Sequence, residues 1–269
     1  MSLELKESEY REIRDLLHGI TGIDLGSGKK MLVRGRLWKE LGRLGLERFS
    51  DYVRLVKEDS SGLLLRNMVD LLTTNYTFFF REEDHFEYLR REYFPSLDSG
   101  RFRAWSAGCS SGEEPYSLAM LLRESLRDPD QTDAKILATD ISSKALKVAR
   151  KGSYPEERMT SVPEKLREKY FSRSEQDGRV LYTAKPPLTS LIAFRQLNLM
   201  DPWPMKGPFD VIMCRNVLIY FNAATRGDLL VRFLDILRSG GLLIVGHSEG
   251  FTEHRSYVRQ VAPSIYQKY

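Results

Sequence analysis

The feature that most constrains this chain is an alternation of apolar runs with amphipathic segments, which begins near residue 101. The runs RFRAWSA, AKILATD, IAFRQLNL, FDVIMCRNV and GLLIVGHS are typical of strands, whereas residues 115–127, 142–151 and 222–238 are typical of helices. Strands that alternate with helices form a parallel sheet covered on both faces. The pattern therefore predicts an α/β domain, with VAPSIYQKY as a further edge strand.

Two regions depart from this alternation. Residues 5–72 contain four helical segments separated by short breaks, as in a small helical bundle. Residues 154–190 contain four prolines and the polar turn RSEQDGR between two extended runs, which predicts a small antiparallel β insertion. We therefore expect an all-α domain over residues 1–76 and an α/β domain over residues 77–269 that carries the insertion.

Composition excludes several classes of protein. The 269-residue chain has a formal net charge of only +4, and its two cysteines belong to no C-x-x-C pair. A disulfide framework and a cysteine-rich zinc site are thus excluded, and the four histidines lack metal-ligand spacing, so we expect no metal. Charges run through the first twenty residues, and no run approaches the roughly 18 apolar residues of a membrane span. We expect a cytoplasmic protein without direct membrane insertion.

Positive charge is concentrated between residues 28 and 48, where seven basic residues face two acids. Leucines recur there at helical spacing, and Arg36, Lys39 and Arg43 lie on a neighbouring stripe of the same predicted helix. The ordinary explanation of such a stripe is a solvated face. The alternative is a docking surface for an acidic macromolecule.

The loop WSAGCSSGEEP after the first predicted strand indicates a ligand pocket. In a doubly wound sheet, ligands bind at the carboxyl ends of the strands, and small residues let the backbone approach them closely. The loop lacks G-x-G-x-x-G, and Glu113 and Glu114 at the helix N-terminus would repel a pyrophosphate. These acids could instead serve only the helix dipole. The loop favours a ligand with a cationic group.

Polar residues end the following strands. Asp140 could accept hydrogen bonds from two ribose hydroxyls, although it could also cap the next helix. The pair Asn198–Leu199 could contact an adenine edge, and Arg215–Asn216 lies where the reactive centre of the cofactor should be. A ribose and a cationic group without phosphates describe S-adenosylmethionine better than NAD. The segment DPWP resembles a motif of nucleobase methyltransferases, but it precedes the fourth strand and is better explained as a rigid turn.

The chain resembles the chemotaxis-receptor methyltransferases, which are the CheR-type glutamate O-methyltransferases. The resemblance spans nearly the whole chain and rests on TTNYTFFFRE, WSAGCSSGEEPYSLA, LATDIS, GPFDVIMCRNVLIYF and GGLLIVGHSEGF. It implies a Rossmann-like S-adenosylmethionine-dependent domain behind an all-α domain. It also implies direct methyl transfer to glutamates in the cytoplasmic helical region of chemoreceptors, with S-adenosylhomocysteine as the other product. Because glutamate has a pKa near 4.3, this reaction requires no strong general base.

The resemblance further implies roles for individual residues. The implied cofactor contacts fall on nine positions: Asn75, Thr77, Arg81, Glu113 (chosen over Glu114), Asp140, Asn198, Leu199, Arg215 and Asn216. Arg81 and Tyr220 match catalytic residues beside the transferred methyl group. The residues that match receptor contacts are Arg36, Lys39 and Arg43. The stretch SRSEQDGRV is shorter than the loop that binds a receptor carboxy-terminal peptide in some members, so we expect no such tether.

Two other functions fit parts of the chain. One is a non-catalytic S-adenosylmethionine-sensing module whose basic helix docks a partner, although the matching catalytic residues are all present. The other is a nucleic-acid methyltransferase that uses the basic helix to contact phosphates. The strand end CRNVLIYF disfavours that function. We therefore expect an enzyme that esterifies protein glutamates and binds no nucleic acid.

Overall fold

A computed structural model describes residues 4–97, 100–126, 129, 131–250 and 257–269 of the chain. The first part folds into four helices: α1 (Glu7–Thr21), α2 (Lys30–Arg43), α3 (Phe49–Glu58) and α4 (Leu63–Leu72). Each helix buries one apolar stripe, so that Ile13, Leu37, Tyr52 and Val69 share a single core. The predicted all-α part is thereby confirmed, whereas its boundary at residue 76 stays a prediction.

A short linker connects this bundle to the rest of the chain. Residues 73–82 contain no regular secondary structure, and α5 (Glu83–Tyr88) follows them. A π-helical turn over Leu89–Tyr93 and a 3₁₀ turn over Phe94–Ser96 then lead towards the first strand. Phe79 of the linker is fully buried against the insertion, with its ring 5.0 Å from Tyr154 and 5.8 Å from Phe171. The linker therefore packs into the hydrophobic core of the part of the chain that follows it, and not into the core of the helical bundle.

The remaining elements alternate as the sequence predicts. In chain order they are β1 (Arg101–Ala107), α6 (Glu113–Ser125), β2 (Asp133–Asp140), α7 (Ser143–Lys151), β3 (Ser153–Pro155), α8 (Glu164–Tyr170), β4 (Phe171–Gln176), β5 (Arg179–Ala184), α9 (Pro186–Thr189), β6 (Ile192–Gln196), β7 (Phe209–Cys214), α10 (Ala223–Ile236), β8 (Leu237–Val245), β9 (Val258–Ala262) and β10 (Ile265–Lys268).

Seven strands form one sheet in the order β6-β2-β1-β7-β8-β10-β9. The five strands from β6 to β8 are parallel, and β10 pairs antiparallel with both β8 and β9. The order reverses beside β1, because β2 lies on one side of it and β7 on the other. The carboxyl ends of these three strands therefore border the crevice in which a doubly wound sheet binds ligands.

Two details differ from the sequence-based expectation. The helix expected from Pro115 begins at Glu113. Proline has no N–H to donate, but the N–H groups of the first helical turn have no partner within the helix, so Pro115 fits as the third helical residue. Its expected end at Arg127 lies outside the described residues. The C-terminal segment forms two antiparallel strands instead of one, since Ser264 adopts a positive φ of 59° and reverses the chain.

The two faces of the sheet pack into separate hydrophobic cores. On one face Trp105 is fully buried, and its ring centroid lies 4.7, 5.9 and 5.2 Å from those of Trp203, Phe209 and Phe233. Trp203 belongs to the DPWP turn, so this turn has a packing role. The expected insertion is also present, as a three-stranded antiparallel sheet in the order β3-β5-β4 on the other side.

No helix among the described residues combines the length and the hydropathy that crossing a bilayer requires.

Candidate active site

A cavity of about 440 Å³ lies between the helical part and the carboxyl ends of β1, β2 and β7. The sequence-predicted residues that line it are Asn75, Thr77, Arg81, Asp140, Asn198, Leu199, Arg215, Asn216 and Tyr220. These positions are up to 145 residues apart in the sequence, and the fold brings them to one cavity.

The helical part closes one side of this cavity. The segment after α1 crosses the ends of the strands, where Asp24 N–H donates to the carbonyl oxygen of Tyr220 at 2.8 Å. The side-chain amide of Asn198 donates to the carbonyl oxygen of Ile20 at 2.7 Å. Gly22 has a φ of 72°, and a side chain there would meet the Met200 sulfur at 2.7 Å. The approach of the two parts is therefore close and specific.

The loop that follows β1 is fixed to the end of β2. The N–H groups of Gly108 and Cys109 both donate to the carbonyl oxygen of Thr139 at 2.8 Å. Gly108 has a φ of 86°, and a Cβ there would lie 2.3 Å from Val217 Cγ2, so that only glycine fits. Ser110 N–H donates to Asp140 Oδ2 at 2.7 Å. The backbone of the loop thus lies directly on the cavity wall.

Asp140 supports the N-cap of α7 and also faces the cavity. Its Oδ1 accepts from Ser142 N–H at 2.8 Å, and Ser142 Oγ in turn accepts from Ala145 N–H at 3.1 Å. Burial raises the pKa of Asp140, while the hydrogen bonds from Ser142 and Ser110 lower it. Each carboxylate oxygen holds one N–H and can accept a second donor. Ser142 is therefore the helix cap, and the support that Asp140 gives to it is compatible with a ligand-binding role.

The two glutamates at the start of α6 point to different places. Glu114 lines the cavity, where Oε1 accepts from Ser106 Oγ at 2.7 Å and Oε2 lies 3.2 Å from Arg215 Nη1. Glu113 is fully buried and lies outside the cavity lining. It accepts from Ser111 Oγ at 2.8 Å and forms an ion pair with Arg158 of the insertion. Glu113, the residue expected at the cofactor, is thus held by Arg158 outside the cavity lining, whereas its neighbour Glu114 lies in that lining.

Arg215 is buried between two carboxylates. Its Nη2 lies 3.0 Å from Glu82 Oε2, and its Nη1 lies 3.2 Å from Glu114 Oε2. Burial raises the pKa of Glu82, but Arg215 and the amide of Asn216 outweigh that effect and hold this pKa below its ordinary value. The two acids compensate the guanidinium charge, so Arg215 offers little attraction to a phosphate. Sequence reasoning missed Glu82, whose partners Arg215 and Asn216 lie more than 130 residues away.

A second missed residue, Glu249, fixes the loop that carries Asn216 and Tyr220. Its carboxylate accepts from the N–H groups of Asn216 at 2.7 Å, Ile219 at 3.0 Å and Gly246 at 2.7 Å. Burial raises the pKa of Glu249, and these backbone donors lower it. Three N–H groups on one buried carboxylate make the loop rigid.

Arg81 lies at the cavity edge, held by the linker. Its Nη1 donates to the carbonyl oxygen of Tyr76 at 2.9 Å, and its guanidinium carbon lies 5.9 Å from the ring centroids of both Tyr76 and Phe78. These contacts position the guanidinium without neutralising it.

The three basic residues of α2 have different surroundings. Arg36 donates to the carbonyl oxygens of Leu72 at 2.6 Å and Thr73 at 3.0 Å, and so ties α2 to the linker. Arg43 pairs with Glu40 at 2.7 Å, whereas Lys39 is exposed. The stripe is therefore only partly a free charged surface.

His85 and His247 are far apart in the sequence but lie close together in the structure. Ligand atoms of Glu82, His85 and His247 lie within 4.8 Å of one another. Burial, together with the nearby Arg215 charge, lowers the pKa of His85 to about 4, so this histidine is neutral at pH 7. Neither of its ring nitrogens has a hydrogen-bond partner among the described residues. Glu82 is already engaged by Arg215, so we assign this group no ligand.

Comparisons with known proteins agree with this geometry. The family model described as "CheR methyltransferase, all-alpha domain" matches residues 8–73, and "CheR methyltransferase, SAM binding domain" matches residues 75–266. A chemotaxis protein methyltransferase of Borreliella burgdorferi is 35% identical over 100% of this chain and 96% of its own length. A probable chemotaxis protein methyltransferase of Rhizobium etli is 41% identical, covering 90% and 92%. The Escherichia coli chemotaxis protein methyltransferase is 37% identical, covering 93% and 87%.

The pair between Glu113 and Arg158 leads to a stability prediction. The substitution Arg158→Met should lower the free energy of unfolding by about 1–3 kcal/mol at about pH 8, because it leaves a buried carboxylate unpaired. Burial already raises the pKa of Glu113, and losing Arg158 raises it further. An acid whose pKa is higher in the folded state destabilises the fold as pH rises through that pKa. The deficit should therefore grow from about pH 5 upwards, measured by urea denaturation at several pH values.

The matched control adds Glu113→Gln to Arg158→Met. The amide carries no charge, so the double variant should recover most of the stability and lose the pH dependence of the deficit. A deficit of equal size at every pH, unaffected by Glu113→Gln, would contradict the assigned ion pair.

Proposed function

Because the chain belongs to the CheR methyltransferase family, we propose that its cavity binds the cofactor and that its helical part binds the substrate. The chain is an S-adenosylmethionine-dependent protein-glutamate O-methyltransferase, and its substrates are chemoreceptors. The family match covers both parts of the chain. The observation that carries the proposal is that nine residues expected at the cofactor or the methyl group line one cavity.

We infer that Asp140 accepts hydrogen bonds from the ribose hydroxyls of the cofactor, and that Asn198 and Leu199 face its adenine. We place the cationic end of the cofactor beside Glu114, which lines the cavity. One arginine, Arg215, pairs with both Glu114 and Glu82, so these two carboxylates together can still attract a positive charge. The linker supports the same assignment, since Ser110 Oγ donates to the carbonyl oxygen of Asn75 at 3.0 Å. Linker and loop are thus joined at the cavity wall. When bound, the cofactor supplies an electrophilic methyl group on a sulfonium.

A side-chain oxygen of the receptor glutamate would receive this methyl group as an ester, and the cofactor would leave as neutral S-adenosylhomocysteine. The glutamate is already ionised at pH 7, so the chain need not remove a proton. Its residues must align the attacking oxygen and exclude water. A cation bound too tightly to that oxygen would stabilise the ground state. We assign Arg81 to holding cofactor or carboxylate at the edge, and the Tyr220 hydroxyl to orienting the nucleophile.

The activity is tested with S-adenosylmethionine labelled in its methyl group and membranes that carry the cognate receptor. Label should enter the receptor as an alkali-labile ester, as expected for a methylated glutamate.

Asp140→Asn should raise the Kd for S-adenosylmethionine about tenfold to a hundredfold, since it replaces a charged acceptor by a neutral one. The control Asp177→Asn lies in the β4–β5 turn, where φ is 51°, a conformation that asparagine tolerates. In the labelling assay with wild-type protein, cofactor binding without transfer of label would support the non-catalytic alternative instead.

The role of Tyr220 is tested by Tyr220→Phe. Because only the hydroxyl is removed, the backbone carbonyl that accepts from Asp24 is retained. We expect single-turnover methylation at saturating cofactor to slow about tenfold to a hundredfold, with the Kd for S-adenosylmethionine unchanged. The control Tyr269→Phe alters an exposed tyrosine and should leave the rate unchanged. An unaltered rate in Tyr220→Phe would remove this residue from the mechanism.

We further propose that α2 docks the acidic helical region of the receptor in the cytoplasm, through Arg36, Lys39 and Arg43, without membrane insertion. Lys39→Glu should raise the KM for receptor about tenfold at low salt and leave kcat unchanged, with a smaller effect at high salt. The control Lys147→Glu reverses an exposed charge on α7.

Receptor fragments with and without their carboxy-terminal tail should give equal KM values. A lower KM for the tailed fragment would contradict the proposed independence from a tether.

A further inference from the structure

The turn that follows β6 forms part of the cavity wall, and an arginine of α10 binds its backbone. Asn198 and Leu199 of this turn line the cavity, whereas Arg232 lies outside the cavity lining. Arg232 Nη1 donates to the carbonyl oxygen of Leu199 at 2.6 Å, and Nη2 donates to that of Asp201 at 2.5 Å. One rigid guanidinium thus fixes two carbonyl groups of the turn.

A tryptophan two residues after Asp201 completes this arrangement. Trp203 Nε1 also donates to the carbonyl oxygen of Leu199, at 3.1 Å, and the guanidinium carbon of Arg232 lies 4.1 Å from the centroid of the Trp203 ring. The Leu199 carbonyl oxygen therefore accepts two hydrogen bonds, which is the number that its two lone pairs allow. Because both donors lie outside the cavity lining, this oxygen is not available to a ligand in the cavity.

Hydrogen bonds within the molecule also engage Asn198. Its carbonyl oxygen accepts from Asp201 N–H at 3.1 Å, and its side-chain Nδ2 donates to Ile20 and Asp201 oxygens at 2.7 and 3.2 Å. Within the described part of the chain, the N–H of Leu199 has no acceptor. The C=O and N–H of a trans peptide point in opposite directions, so this N–H points away from the turn interior that Asp201 occupies. The turn therefore presents a hydrogen-bond donor to the cavity.

We propose that Arg232 is a positioning residue through which the cavity selects adenine over hypoxanthine, the purine that has an oxygen at C6. This inference rests on the proposed function, which places adenine at Asn198 and Leu199, and deepens it. N1 of adenine is a hydrogen-bond acceptor and matches the Leu199 N–H. N1 of hypoxanthine carries a hydrogen, which would face another donor because Arg232 and Trp203 occupy the Leu199 carbonyl. Two donors left unpaired in a closed site disfavour binding.

The test compares two ligands that differ only in the base: S-adenosylhomocysteine and S-inosylhomocysteine. Calorimetric titration of the full wild-type chain should give a Kd about tenfold to a hundredfold lower for the adenine compound. Arg232→Met removes both donors and keeps a long side chain beside Trp203. It should bring the two Kd values to within about threefold of each other, because the freed Leu199 carbonyl can accept from N1–H. Arg232→Lys keeps a cationic donor and should restore part of the preference.

The matched control is Arg226→Met, which alters an exposed arginine on the same helix and should retain the wild-type preference. Trp203→Phe removes the second donor to the Leu199 carbonyl and should weaken the preference as Arg232→Met does, so it carries the test if Arg232→Met does not fold. A purely structural role of Arg232 would raise both Kd values by the same factor.

An unchanged preference in both Arg232→Met and Trp203→Phe would therefore overturn this inference alone, as would equal Kd values of the two ligands for wild-type protein. Absence of S-adenosylhomocysteine binding to the wild-type chain would overturn the proposed function itself.

Discussion

The carboxylate of Asp140 is the junction on which the site depends. It accepts one N–H from the loop after β1 and one from the start of α7, at 2.7 and 2.8 Å. The donor in the loop is Ser110, whose hydroxyl also reaches the linker from the helical part. Two strands and the linker are thus joined at one buried anion. Because this anion still has acceptor capacity towards the cavity, the interaction that builds the wall also leaves a place for a sugar.

The charges around this junction explain which ligand the cavity suits. Arg215 is a buried cation, but Glu82 and Glu114 flank it and offset its charge. The loop after β1 leads into a helix that begins with two glutamates, where a dinucleotide site would present bare N–H groups to phosphates. A cationic sulfonium cofactor is compatible with these acids. The rigid loop held by Glu249 and the guanidinium of Arg81 then leave little freedom at the point where the methyl group must meet a carboxylate.

Much of this arrangement could be predicted from the sequence, because strand and helix periodicities are local and the ends of parallel strands converge. The direction of the two glutamates after Gly112 could not be predicted. They are adjacent, chemically identical and equally good for the helix dipole, and Arg158 on the distant insertion decides between them. Glu82 was missed for a similar reason, since it pairs with a residue 133 positions away. Hydrogen bonds between distant segments leave no periodicity in the sequence.

We expect the cavity to bind a positively charged sulfonium donor and to reject a diphosphate. Calorimetric titration of the full chain with S-adenosylmethionine, followed by the same titration in the presence of excess NAD, measures both properties. One S-adenosylmethionine should bind per chain, with an affinity that NAD does not change. Displacement of S-adenosylmethionine by NAD, or binding of NAD alone, would contradict it.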